Sequence, residues 1–171
     1  VVKNYFKSGK ALGVQISYAE EKVPLGTAGA LSLIKQKTEG PVIVTNGDVL
    51  SNIDYLDLMQ FHNKRQASAT LVVREHKIQN PFGTVVIGND NELLSLNEKP
   101  TYISWINSGI YVVNSSEFLN LDIQNLDMPE FLTNISQTSR VKVYIYWDYW
   151  IDIGSKADFF RAESFIATNN S

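Results

Sequence analysis

Val42-Ile-Val-Thr-Asn-Gly-Asp48 is a run of four β-prone residues that breaks at a glycine and ends on a carboxylate. Such an apolar run reads as a strand of the buried, parallel type. Gly47 allows the sharp turn that points the next side chain outward. A second run, Tyr149-Trp-Ile-Asp-Ile-Gly154, sets Asp152 among apolar neighbours in the same way. An acid just past the end of a strand sits at the mouth of an α/β sheet, where these folds bind ligands. Two such acids can close on one hard cation that carries phosphates.

Outward from these runs, strand and helix signals alternate. The pattern predicts strands at 14–18, 42–45 and 69–74, with helical segments at 27–37 and from Asp54 onward. The second helix carries Tyr55, Leu58, Met59 and His62 at i, i+3, i+4 and i+7. This order implies right-handed crossovers and a mostly parallel sheet flanked by helices, an α/β fold. The second half is richer in strands. Residues 83–87 and 92–96 flank the turn Gly88-Asn-Asp-Asn91 as a hairpin, and 106–113 is a further strand. A helix is expected at 128–136. Over 141–147, Val141, Val143, Ile145 and Trp147 alternate with Lys142, Tyr144 and Tyr146, so one face of this strand is buried. Ser155-Lys-Ala-Asp158 reads as a capping box before a helix with Phe159, Ala162 and Ile166 on one face. The first six residues read as the end of a helix that Gly9 stops.

Composition narrows the function. The 171 residues are 44% apolar and 11% aromatic, as in a globular core, and fit one domain over 1–171. A net charge of −3 offers no basic field to nucleic acid or to an anionic membrane. Zero cysteines exclude disulfides, thiolate zinc sites and thiol nucleophiles. No apolar run approaches the ~20 residues that span a bilayer. A cytoplasmic domain is expected.

The remaining candidates lie on loops. Glu21-Lys-Val-Pro-Leu-Gly-Thr-Ala-Gly29 places Pro24, Gly26 and Thr27 before a helix, a loop whose backbone can approach a planar or phosphate ligand. Glu98-Lys99-Pro100 ends one strand and Asn107-Ser-Gly109 opens the next. Lys99 can meet a phosphate as a point charge, while Glu98 and Asn107 can bond sugar hydroxyls. His62 and His76 lack metal-ligand spacing and read as structural. The aromatic group Tyr144, Tyr146, Trp147, Tyr149 and Trp150 reads as core.

Taken in order, these segments resemble the sugar nucleotidyltransferases, together with Pro81-Phe-Gly83-Thr-Val85, Asn107-x-Gly109-Ile-Tyr111 and Trp150-Ile-Asp-Ile-Gly154. The likeness runs from about residue 5 to 166 and is greatest to the mannose- and aminosugar-1-phosphate guanylyltransferases. It implies a Rossmann-like sheet of the nucleotide-diphospho-sugar transferase type. In that fold a sugar-1-phosphate oxygen attacks the α-phosphorus of a nucleoside triphosphate, and pyrophosphate leaves. It also implies catalytic roles for Asp48, Lys99 and Asp152, with Asp48 and Asp152 holding Mg²⁺. Glu21, Pro24, Gly26, Thr27 and Gly47 would then meet the nucleotide, and Gly83, Glu98, Lys99 and Asn107 the sugar phosphate. A carboxylate at Glu21 suits the paired N–H donors of guanine, so GTP is the expected donor.

One departure matters. The family's Gly-rich signature with its triphosphate-binding arginine has no match in these residues, so the fold reads as lacking its first strand–loop–helix segment. The isolated chain is therefore expected to turn over little substrate and to associate or swap strands. Two other readings remain: a non-catalytic sugar-nucleotide-binding remnant, and an NDP-sugar-dependent glycosyltransferase. The latter usually shows Asp-x-Asp after a strand, whereas Val49 and Leu50 follow Asp48.

Overall fold

The computed structural model describes residues 1–34, 38–122 and 124–169. Its strands are β1 (Pro41–Thr45), β2 (Val49–Ser51), β3 (Ala69–Gln79), β4 (Thr84–Ile87), β5 (Leu93–Asn97), β6 (Thr101–Asn114), β7 (Val141–Ile145) and β8 (Trp150–Asp152). The helices are α1 (Val2–Phe6), α2 (Gly26–Gly29), α3 (Tyr55–Lys64), α4 (Met128–Thr138) and α5 (Lys156–Asn169). The main sheet has the order β1-β6-β3-β7, and β2–β8 and β4–β5 form two separate two-stranded ladders. β3 pairs parallel with β7, while β6 runs antiparallel between β1 and β3. Three of the four central strands therefore point the same way, with β6 inserted against them.

Helices cover both faces of this sheet. On one, α2 and α4 bury Ala28, Phe131, Leu132 and Ile135 against Ala69, Tyr111 and Val113. On the other, α3 seats Leu58 against Val72, Ile110 and Val112. Burying each large aliphatic contributes about 1.5–3 kcal/mol. α3 starts where it should: Asp54 accepts from the Leu56 and Asp57 N–H groups, satisfying two donors that a helix start leaves open. The Ser155–Asp158 capping box also forms, with Asp158 N–H on Ser155 Oγ at 3.2 Å.

Four expectations change. Residues 14–18 form no strand; there the chain is irregular. β1 is strand as read, but among the described residues its only ladder is antiparallel and it lies at the sheet edge, half-buried. The helix expected over 27–37 is one α-turn followed by a 3-10 turn at Ala30–Leu33, and 35–37 lie outside the described residues. On α5 only Ala162 of the expected face is buried, while Phe159 and Ile166 are exposed.

One face of β7 is covered as the alternation requires, and it is the tyrosine face. Tyr144 and Tyr146 face inward, whereas Val143 (51%), Ile145 (45%) and Trp147 (66%) are exposed. The tyrosines carry hydroxyls that need partners when covered. The α3 side supplies them: Tyr144 donates to Asp57 and its ring meets Phe61 edge-on at 5.2 Å, while Tyr146 donates to the Tyr149 C=O at 3.1 Å. On the opposite face only Val141 of this strand packs against the α2–α4 core. Trp147 instead meets Trp105 edge-on at 5.5 Å, so this aromatic pair is surface rather than core.

Candidate functional site

The short β2–β8 ladder brings the backbones that carry the two acids together. Val49 is the register partner of Asp152, and the Ile153 N–H donates to the Asp48 C=O at 2.9 Å. Asp48 and Asp152 thus lie within one residue's rise, ~3.4 Å, of being directly opposite. Both are exposed, so Asp152 is not the buried carboxylate that its apolar neighbours suggest. Among the described residues neither carboxylate is tied up in a salt bridge or hydrogen bond. Two free acids beside a turn fit Mg²⁺, which takes one or two carboxylates and completes its shell with phosphate and water. No group of three or more His, Cys, Asp or Glu among the described residues offers an all-protein cage.

Behind this ladder β6 carries an irregularity. The β3–β6 register passes from Leu71↔Tyr111 to Val73↔Asn107, so β6 spends two extra residues there. Gly109 takes φ +74°, and a Cβ on it would lie 2.8 Å from the Asn46 side-chain nitrogen. Only glycine lets Asn46, two residues before Asp48, approach this closely. Asn107 braces the same bulge: its Oδ1 accepts from the Gly109 N–H at 2.9 Å and its Nδ2 donates to Tyr111 Oη at 2.7 Å. Burial raises the Tyr111 pKa, partly offset by that hydrogen bond. An amide has spare donor and acceptor capacity, so Asn107 can still meet a sugar hydroxyl.

The Glu21–Thr27 loop is held from far along the chain. Glu21 Oε2 accepts from the Leu25 N–H at 2.9 Å, which closes the loop on itself and leaves the second oxygen for another donor. The Pro24 C=O accepts from the Asn125 amide at 3.3 Å. Gly26 has φ +74°, and a Cβ there would meet the Leu126 C=O at 2.6 Å. The Thr27 N–H donates to Asp127 Oδ1 at 3.2 Å, and Thr27 Oγ1 accepts from the Met128 N–H at 2.8 Å. Asp127 and Leu126 are the residues that sequence reasoning missed. Their signal was faint, a lone acid before the Met-Pro start of α4.

Glu98 and Gly83 also come together, a Cβ on Gly83 falling 2.9 Å from Glu98 Oε2. Lys99 turns the chain between β5 and β6 with φ +46°, and its side chain is exposed. This cluster sits at the base of the β4–β5 hairpin. Thr101 and Asn107 are separated by six steps along β6, about 20 Å of extended chain. The structure thus forms three groups: Asp48 and Gly47 with Asp152 and the Asn107 bulge, the Glu21–Thr27 loop on 124–128, and Gly83 with Glu98 and Lys99. A groove of about 460 Å³ between β8 and α5, lined by Tyr149, Trp150, Phe160 and Arg161 among others, contains none of the candidates.

Comparisons with known proteins bear on the family and the fold. A family model described as Nucleotidyl transferase matches residues 1–169. A mannose-1-phosphate guanylyltransferase catalytic subunit beta from Dictyostelium discoideum is 30% identical over 156 residues, 88% of this chain and 44% of that protein. The protein of the same description from Drosophila melanogaster is 30% identical over 156 residues, 88% of this chain and 42% of its own length. The chain thus spans less than half of these relatives. The crystal structure of HddC from Yersinia pseudotuberculosis superposes with a TM-score of 0.66 at 23% identity, covering 96% of this chain and 73% of that one. That likeness is one of fold. No helix among the described residues is long and apolar enough to cross a membrane.

Proposed function

Because the chain belongs to the nucleotidyl transferase family, we propose that it serves the transfer of a nucleotidyl group from GTP to a sugar-1-phosphate. An oxygen of the sugar phosphate attacks the α-phosphorus, the bond to the β-phosphate bridge breaks, and pyrophosphate leaves with the electron pair. The observation that supports this reading is the β2–β8 register, which pairs Val49 with Asp152 and brings the Asp48 backbone against Ile153, one residue from Asp152. Such in-line transfer needs positioning and charge neutralisation more than a covalent nucleophile. Asp48 and Asp152 would hold Mg²⁺, which when bound neutralises charge on the phosphate oxygens.

Glu21, through its remaining oxygen, reads the guanine edge. Pro24, Gly26, Thr27 and Gly47 supply backbone that lies close under the nucleotide. Gly83, Glu98 and Lys99 meet the sugar phosphate from the hairpin base, with Asn107 on the far side. That division requires the hairpin to bend toward the bulge when sugar is held, given the stretch of β6 between them. The guanylyltransferase descriptions of the Dictyostelium and Drosophila relatives support GTP as donor. The reactants are those of a cytoplasmic step that makes a sugar nucleotide.

The 171 residues contain no Gly-Gly-x-Gly-x-Arg run, so binding rather than turnover is the decisive assay. Equilibrium dialysis with radiolabelled GTP should show binding that depends on Mg²⁺ and is lost in Asp152→Asn, with UTP and dTTP weaker. Binding indifferent to both the metal and Asp152 would refute the assignment. Pyrophosphate exchange by the chain alone should stay near background, and normal turnover would disprove the need for an outside arginine. β1, an edge strand without a charged side chain, should drive association or strand exchange. A monodisperse monomer in sedimentation would count against that.

A further inference from the structure

We propose that Arg74, through Trp150, positions Asp152; the inference rests on the reading that Asp152 and Asp48 share an ion. β8 is three residues long and, among the described residues, pairs only with β2. A two-stranded ladder is marginal by itself, so something outside it must fix where Asp152 points. Trp150 and Asp152 are i and i+2 in β8 and share a face. In the β2–β8 ladder the Asn52 N–H bonds the Tyr149 C=O and the Ile153 N–H bonds the Asp48 C=O. These set the hydrogen-bonded rungs. The Ser51↔Trp150 pair falls between them, and the Trp150 C=O points out of the ladder.

Arg74 takes that carbonyl. Its Nη1 donates to the Trp150 C=O at 3.1 Å, and its guanidinium lies 5.2 Å from the centre of the indole ring. The indole is pinned from the other side as well, with Nε1 donating to the Ser108 C=O at 2.8 Å. Ser108 is buried in the β6 bulge and donates from Oγ to the Val72 C=O at 2.9 Å. The main sheet thus grips β8 through one tryptophan, two residues before the acid. Among the described residues Arg74 has no carboxylate partner, which leaves its charge for this clamp. A planar fork that bonds a carbonyl and stacks on an indole is a task that lysine performs poorly.

Mn²⁺ alone, titrated into the 171-residue chain and followed by the EPR signal of the free ion, tests this. Asp48→Asn and Asp152→Asn should each weaken binding. Arg74→Met keeps the aliphatic stem and should weaken it by about tenfold or more, as loss of a ligand-orienting partner does. Arg74→Lys should recover part of the loss. In the double variant Arg74→Met with Asp152→Asn, affinity should equal that of Asp152→Asn alone, because Arg74 acts through that carboxylate. A general loosening would instead multiply the two losses, and that result overturns the proposal. If Arg74→Met fails to fold, Arg74→Lys decides, and wild-type affinity there is fatal to the idea. Weakening by both acid variants with Arg74→Met within about twofold of wild type leaves the ion site standing and removes only the clamp. No effect from either acid variant removes the site and the clamp together.

Discussion

Replacing Gly26 by alanine tests whether the candidate nucleotide loop is built on the 124–128 segment. Gly26 has φ +74°, a conformation that costs an L-residue about 1–2 kcal/mol. The added methyl would also sit 2.6 Å from the Leu126 C=O, 2.8 Å from Asp127 Oδ1 and 2.9 Å from the Leu126 carbonyl carbon. Two of the three obstacles are backbone, fixed by the Ala28 and Gly29 N–H bonds to the Leu126 C=O. Overpacking of this kind adds roughly 1–3 kcal/mol. The total is about 2–5 kcal/mol, which for a chain of this size lowers the melting temperature by about 4–20 °C. Two other glycines separate the contributions. Gly13 has φ +71° with nothing within 4 Å, so Gly13→Ala carries the dihedral cost alone. Gly47 has open space and no positive φ, so Gly47→Ala should be near neutral. Calorimetric melting of the three variants should rank them Gly26, Gly13, Gly47 in order of damage. A Gly26→Ala protein melting within about 1 °C of Gly47→Ala would refute the docking of the loop on residues 126–127.

Further outcomes follow from buried polar groups. His62 is fully buried, its Nδ1 2.8 Å from Thr70 Oγ1 and its Nε2 3.1 Å from Asn114 Oδ1, while Asn114 Nδ2 donates to the Ala67 C=O at 3.0 Å. His62→Ala should cost about 3–5 kcal/mol in urea unfolding, from the cavity and two orphaned partners; a loss under about 1 kcal/mol would contradict the network. The Asp57 hydrogen bond, followed by burial, pushes Tyr144 up to about 12 from 10.0. Between those values the folded state keeps a proton that the unfolded state releases. Its stabilisation is therefore complete below pH 10 and is lost as pH rises through about 12. Tyr144→Phe should flatten the alkaline fall of unfolding free energy, and equal slopes for both proteins would rule out the bond.

Much was legible locally because its causes are local. The Asp54 cap, the Ser155–Asp158 box, the 84–97 hairpin and the α4 start rest on turn and capping chemistry within a few residues. The two acids could be picked out because a glycine-broken β run exposes its last side chain. Periodicity alone could not choose between two faces. Over 141–147 the alternation marked one buried face, and the tyrosines took it because α3 and Tyr149 supplied partners for their hydroxyls.

The residue pattern by itself determined that this is an α/β chain with strand-end acids, a glycine loop and a hairpin, since each follows from short-range sterics and hydrogen bonding. Only the tertiary structure decided which of these meet. The antiparallel insertion of β6 and the three-residue β2–β8 ladder bring the strand of Asp152 against the segment that follows Asp48 and hand Trp150 to Arg74. The physical reason is that strand pairing is a contact between distant segments, chosen by which faces and backbone groups remain unsatisfied once the local elements have formed.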